Sequence, residues 1–146
     1  MRTVTAFSLL LICSACLPFS GPIHFHPVGT APAVAPIPAR FKVHGGWQTA
    51  TIIATLPGGG AYEGSFRVGT PPPGREMAHA WDCVFGPGYF DAKVLGSAQH
   101  ARVTLVGPEG KHLQAEFHSL VSHPSGLSVS EGVLTDALGR IFKMGQ

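Results

Sequence analysis

The stretch that decides the fold is His100-Ala101-Arg102-Val103-Thr104-Leu105-Val106, then Gly107-Pro108-Glu109-Gly110, then Lys111-His112-Leu113-Gln114-Ala115-Glu116-Phe117-His118. On both sides of the Gly-Pro-Glu-Gly turn, apolar and polar residues alternate with the period of a half-buried strand. Pairing Leu105 with Leu113, Val103 with Ala115 and Ala101 with Phe117 puts all six apolar side chains on one face. A one-residue slip would turn half of them to water, so this register is strongly favoured. The same register sets Arg102 opposite Glu116 and His100 opposite His118 on the other face, which reads as facing solvent.

Working outward, short apolar runs predict further strands at Thr49–Leu56, Ala61–Val68, Tyr89–Leu95, Leu127–Thr135 and Arg140–Met144, beside Gln99–Val106 and Lys111–Val121. Between them lie turn signals: Pro57-Gly58-Gly59-Gly60, Gly96-Ser97, His123-Pro124-Ser125-Gly126 and Ala137-Leu138-Gly139. The segment Arg75–Phe85 reads either as one short helix or, from the alternation of Trp81, Cys83 and Phe85, as another strand. The alternation makes Cys83 a buried, inert thiol. The fold class is therefore all-β with at most one short helix: a small antiparallel β-sandwich or barrel of about seven strands. It occupies residues 41–146, one domain.

Upstream, six prolines (18, 22, 27, 32, 36 and 38) interrupt the segment Leu17–Arg40. Proline at that density opposes helix and ladder and favours an extended, polyproline-like spacer, so residues 16–40 read as a stalk. His24 and His26 flank Phe25 there and read as isolated histidines. Residues 1–15 have the parts of a secretory signal: Arg2, the apolar run Val4–Ile12, then the small Cys13, Ser14 and Ala15 before Cys16. The run is about half of the roughly 20 residues that a membrane-spanning helix needs.

The residues Leu11-Ile12-Cys13-Ser14-Ala15-Cys16 resemble the lipobox of bacterial lipoproteins, with Cys13 where leucine is usual. The resemblance implies acylation at Cys16, by diacylglycerol and a chain such as palmitate. Leu17 in place of the aspartate of inner-membrane retention implies the outer membrane, facing the periplasm or the surface. The alternative is an ordinary signal peptide cut at the same Ala15–Cys16 bond and a secreted domain. The C-terminal half also resembles small bacterial lipoproteins to which no activity is attached. The resembling residues are Trp81, Gly86-Pro87-Gly88-Tyr89, Val94-Leu95-Gly96-Ser97, Ala101 to Leu105, Gly110, Gly132-Val133, Asp136 and Gly139 to Lys143. Arg140 and Phe142 depart from the Asn and Tyr usual there. These are turn glycines and alternating apolar positions, so the resemblance implies architecture and address and leaves chemistry blank.

Of three cysteines, Cys13 leaves with the signal and Cys16 is the lipid site, so Cys83 has no partner for an intramolecular disulfide. Eight histidines against eight acids prompt a search for a metal site. The one constellation that the register supports is His100, Glu116 and His118, set against the plainer reading of a solvated, histidine-rich face. HExxH and GxSxG are absent, no CxxC occurs beyond Cys13–Cys16 at the end of the signal-like segment, and paired carboxylates are scarce. Gly58-Gly59-Gly60 lacks the Gly-Lys-Ser/Thr ending of a phosphate loop and reads as a hairpin turn. A net charge of +2 with scattered bases gives no footprint for nucleic acid. The aromatic residues read mainly as core, with Trp81 and Tyr89 as a candidate surface for a glycan or peptide. The chain is thus expected to be an exported, lipid-anchored envelope protein. Its domain reads as a non-enzymatic structural or interaction module with no cofactor, held to the membrane and meeting an envelope protein or glycan. The alternative is a ligand- or metal-binding β domain.

Overall fold

The structure, a computed structural model, describes residues 22–29, 34–44, 48–57, 60–70, 74–123 and 126–145. In chain order the strands are β1 (Pro22–Pro27), β2 (Ile37–His44), β3 (Thr49–Leu56), β4 (Gly60–Arg67), β5 (His100–Val106) and β6 (His112–His118). Then come β7 (Val121–His123), β8 (Gly126–Ser128), β9 (Glu131–Thr135) and β10 (Ile141–Gly145). Eight of them close a barrel in the order β1-β10-β9-β6-β5-β4-β3-β2, while β7 and β8 form a separate ribbon. All neighbours are antiparallel, so the chain walks round the wall as a meander and its last strand pairs with its first.

The all-β reading stands, with eight wall strands in place of about seven. The central hairpin has the expected register: Leu105 faces Leu113, Val103 faces Ala115, and Ala101 faces Phe117. Beyond it, β6 stops at His118 because Ser119 adopts a left-handed φ of 55°. That conformation is foreign to a strand.

Alternate residues point inward and fill the barrel. The Phe117 ring centre lies 5.2 Å from that of Phe41, 5.5 Å from Phe66 and 6.4 Å from Phe25. Ala50, Ala54, Ala101 and Ala115 make room for these rings on facing strands. An eight-strand barrel is just wide enough to be filled in this way. The outward positions include Arg40, Lys42, Glu63, Arg67 and Thr104, all exposed. A lipid-facing barrel would instead carry an apolar outer band. No helix among the described residues is long and apolar enough to cross a membrane.

The β4–β5 connection carries the helical part. A single 3-10 turn (Arg75–Met77) leads into α1 (Ala78–Phe85), and a π-type turn follows at Phe90–Val94. Apolar residues recur at 77, 80, 81, 84 and 85, the stripe of an amphipathic helix. That stripe packs on the outside of the barrel, where Met77, Ala80, Trp81, Phe90 and Val94 meet Val133 of β9. Two expectations change here. The strand expected at Tyr89–Leu95 is helical, because Phe90 and Val94, four residues apart, are both buried on one side. Cys83 is exposed and not buried, since α1 turns it and His79 to the face opposite Trp81.

The proline-rich segment also reads differently. Pro22–Pro27 is a wall strand, and Ile37–Arg40 begins the next one. The barrel therefore starts well before residue 41, and the stretch from Pro22 is not a free stalk. The prolines sit where a missing N–H costs the ladder little. Pro22 and Pro27 end β1, and Pro38 precedes the β2–β3 ladder, which begins at Ala39. Residues 1–15, read above as a signal, Cys16, expected to be acylated, and the aromatic Trp47 lie outside the described residues.

Candidate functional site

The polar residues on the outer faces of β5, β6 and β9 would be solvated if α1 did not cover them. Register places His100 opposite His118, Arg102 opposite Glu116, and His118 opposite Glu131. With the helix in place, His100 and Glu116 are fully buried. The reading of this face as solvated is thus corrected.

A buried carboxylate needs donors. Glu116 receives one from the indole Nε1–H of Trp81, 2.5 Å from Oε2, and one from Nε2 of His100, 2.8 Å from Oε1. Arg102 stands at the rim, with Nε 4.0 Å from Glu116 Oε1 and Nη1 2.6 Å from Glu76 Oε2. Glu76 on the 3-10 turn is held below the usual carboxylate range by a backbone hydrogen bond and by Arg102. His100 Nδ1 is buried with no hydrogen-bond partner.

A second knot lies one strand over. The Tyr89 hydroxyl donates to Glu131 Oε2 at 2.6 Å, and His118 Nδ1 meets the same oxygen at 3.0 Å. Burial, then the hydrogen bond and the charge of Glu131, push the Tyr89 hydroxyl up to about 12. Burial opposes the charge on Glu131, but Tyr89, His118 and Lys93 together hold its carboxyl below the usual range. The Trp81, Phe85 and Tyr89 rings stack between the two knots, and Lys143 Nζ lies 5.1 Å over Phe85. At the far end of α1, Asp82 Oδ1 accepts from the Phe90 backbone N–H at 3.0 Å, which holds its carboxyl low and ties the helix to the next turn.

Of the expected site residues, His100 and Glu116 come together, but His118 turns to Glu131 and the three do not converge on one point. Among the described residues no group of three or more His, Cys, Asp or Glu is placed to hold a metal ion. Trp81 is fully buried and is not a binding surface, while Tyr89 is half-buried and engaged with Glu131. The chemistry of this cluster is donor–acceptor bracing. Its acid and base groups face one another under the helix, and no open position beside Glu116 awaits a reacting atom.

The sequence reading missed both knots. The Arg102–Glu116 pairing was legible, but the cover over it comes from a segment of different periodicity. The signal that could have exposed it is the match between two outward carboxylates and the indole and phenol donors of Trp81 and Tyr89. Elsewhere, Ile37, Leu56, Pro57 and Phe142 line a shallow apolar groove of about 190 Å³ at one barrel mouth. Arg140 at its rim is committed to Asp136, with Nε 2.6 Å from Oδ2.

Compared with known family models, curated proteins and solved structures, the chain matches none.

Proposed function

We propose that this chain is an exported, lipid-anchored envelope protein whose barrel is a non-enzymatic structural or interaction module. The observation that carries this reading is the filled barrel: five phenylalanines, at 25, 41, 66, 117 and 142, occupy its axis. Ligand-binding barrels keep that space for a guest. A filled barrel offers a partner its outer surface. The polar knots support the same conclusion, because the bonds of Trp81 to Glu116 and of Tyr89 to Glu131 join the helical insert to the wall. The export signal and the lipobox-like Cys16 supply the address.

The test of address is the intact mass of the protein extracted from a Gram-negative host, beside Cys16→Ala. A mature chain starting at Cys16 with diacylglycerol and acyl mass, lost in the variant, is the expected result. A chain cut at the same bond without lipid overturns the anchor.

A further inference from the structure

The bases that look scattered along the sequence are gathered by the fold. On β10, β1 and β2, three adjacent strands, the exposed outward side chains include Lys143, His24, His26, Arg40, Lys42 and His44. Register sets His26 opposite Lys143 and Pro22 opposite Arg40. Neighbouring strands lie about 4.8 Å apart, so the face is about 10 Å across. It is single-signed. All eight acids of the chain fall between Glu63 and Asp136, and none lies on these three strands. Elsewhere four bases are paired with acids, Arg75 with Asp91, Arg102 with Glu76, Lys111 with Glu109, and Arg140 with Asp136, while Arg67 bonds Gln48. Among the described residues Arg40, Lys42 and Lys143 have no acidic partner within ion-pair distance.

The position of this face relative to Cys16 gives it a use. β1 begins at Pro22, six positions after Cys16. Six extended residues span at most about 20 Å. Arg40 stands opposite Pro22, and Lys42 and His44 lie further along β2 toward the end where the chain enters from Cys16. An anchor at Cys16 therefore holds this end of the barrel within a short reach of the lipid headgroups. Basic side chains that close to an anionic surface are attracted to it, about fivefold in partition for each Lys or Arg.

We propose that the outward face of β10, β1 and β2 is an electrostatic docking surface for the anionic headgroups of the membrane that carries the chain. The proposal rests on the anchored reading for its geometry. Docking turns the barrel so that this face meets the lipid and the acid-bearing strands β4 to β6 are left for the aqueous side.

The test makes the tether independent of natural acylation. The full chain carrying Cys13→Ser and Cys83→Ser is coupled through Cys16 to a maleimide lipid in vesicles. Lysine acetylation is then mapped by mass spectrometry on neutral phosphatidylcholine and on the same lipid with about 30 mol% phosphatidylglycerol. Acetylation of Lys42 and Lys143 is expected to slow about fivefold or more on the anionic vesicles, and to recover at about 0.5 M salt. Lys111, at the barrel mouth, serves as the internal control and keeps its rate. Arg40→Gln should weaken the protection of Lys42 about fivefold. Equal rates on both vesicles, or uniform protection of all lysines, overturns the proposal. Protection by soluble heparin without protection by anionic vesicles assigns the face to a soluble acidic partner and also overturns it. The intact mass of the wild-type chain tests the natural anchor separately, so either reading can fail alone.

Discussion

The indole N–H of Trp81 donates to the carboxylate of Glu116 across 2.5 Å, joining a helix in the β4–β5 connection to the middle of β6. The helix is held to the barrel by this bond as well as by the apolar contacts around Val133. Trp81→Phe keeps most of the ring and removes the donor, leaving Glu116 with less than it needs. The expected loss is about 1–3 kcal/mol, the usual cost of stranding a buried acceptor. Combined with Glu116→Gln in a double-mutant cycle of urea denaturation, the two changes should be clearly non-additive. Additive losses would mean that the bond contributes little beyond packing.

Gly64 on β4 lies tight against β5. A Cβ there would lie 2.5 Å from the Thr104 carbonyl oxygen and 2.5 Å from Val103 Cγ2. Backbone cannot yield as a flexible side chain can, so Gly64→Ala should push the two strands apart. A loss of about 1–3 kcal/mol is expected, in the range of overpacked cores, read as a lower urea midpoint. Unchanged stability would show that the wall relaxes at this point without strain.

The Tyr89–Glu131 knot gives stability a pH dependence with a definite sign. Glu131 has a folded-state pKa below its unfolded one. Its contribution is present above the unfolded carboxylate value of about 4.3 and is lost as pH falls through the folded value. Tyr89 is raised to about 12. Its contribution is full below the unfolded value of about 10 and is lost as pH rises through the folded one. Urea midpoints measured against pH should therefore drop at both limbs. Glu131→Gln should flatten the acid limb, and Tyr89→Phe should remove the alkaline one. An acid limb identical in wild type and Glu131→Gln would show that other carboxylates carry it.

Cys83 is exposed on α1, with Sγ 3.4 Å from Nε2 of His79. Iodoacetamide should modify Cys83 in the native protein without denaturant, as found by peptide mapping. His79→Ala should leave the thiol accessible and alter only the rate. A thiol that reacts only after unfolding would put Cys83 back in the interior and contradict the helical register of 78–85.

The barrel wall was largely legible because its strands obey a simple period. The pairing of Leu105 with Leu113 follows from alternation alone, and so does the arrival of Arg102 opposite Glu116. What alternation could not convey is what lies over the outer face. Trp81, Cys83 and Phe85 fit a two-residue period and a helical stripe almost equally well, and the choice is made by Val133 and Glu116, far away in sequence. Proline content misled for a related reason. It measures how many ladder bonds a segment lacks, not whether the missing ones fall at strand ends, as they do at Pro22 and Pro27. The basic face was invisible because Lys143 and Arg40 sit at opposite ends of the described chain.

The pairing of His24 with Gly145 has a consequence in time. The seam joins the first described strand to the last, so the ring stays open until β10 has been synthesised. Each intervening wall strand can pair with the wall strand before it as it emerges, but β1 waits with one edge bare for nearly the whole chain. Closing so long a loop is the slow, non-local step of folding. On the export proposed above that delay is useful, since an unclosed meander is still a thread that can pass through a narrow channel, and a closed barrel is not.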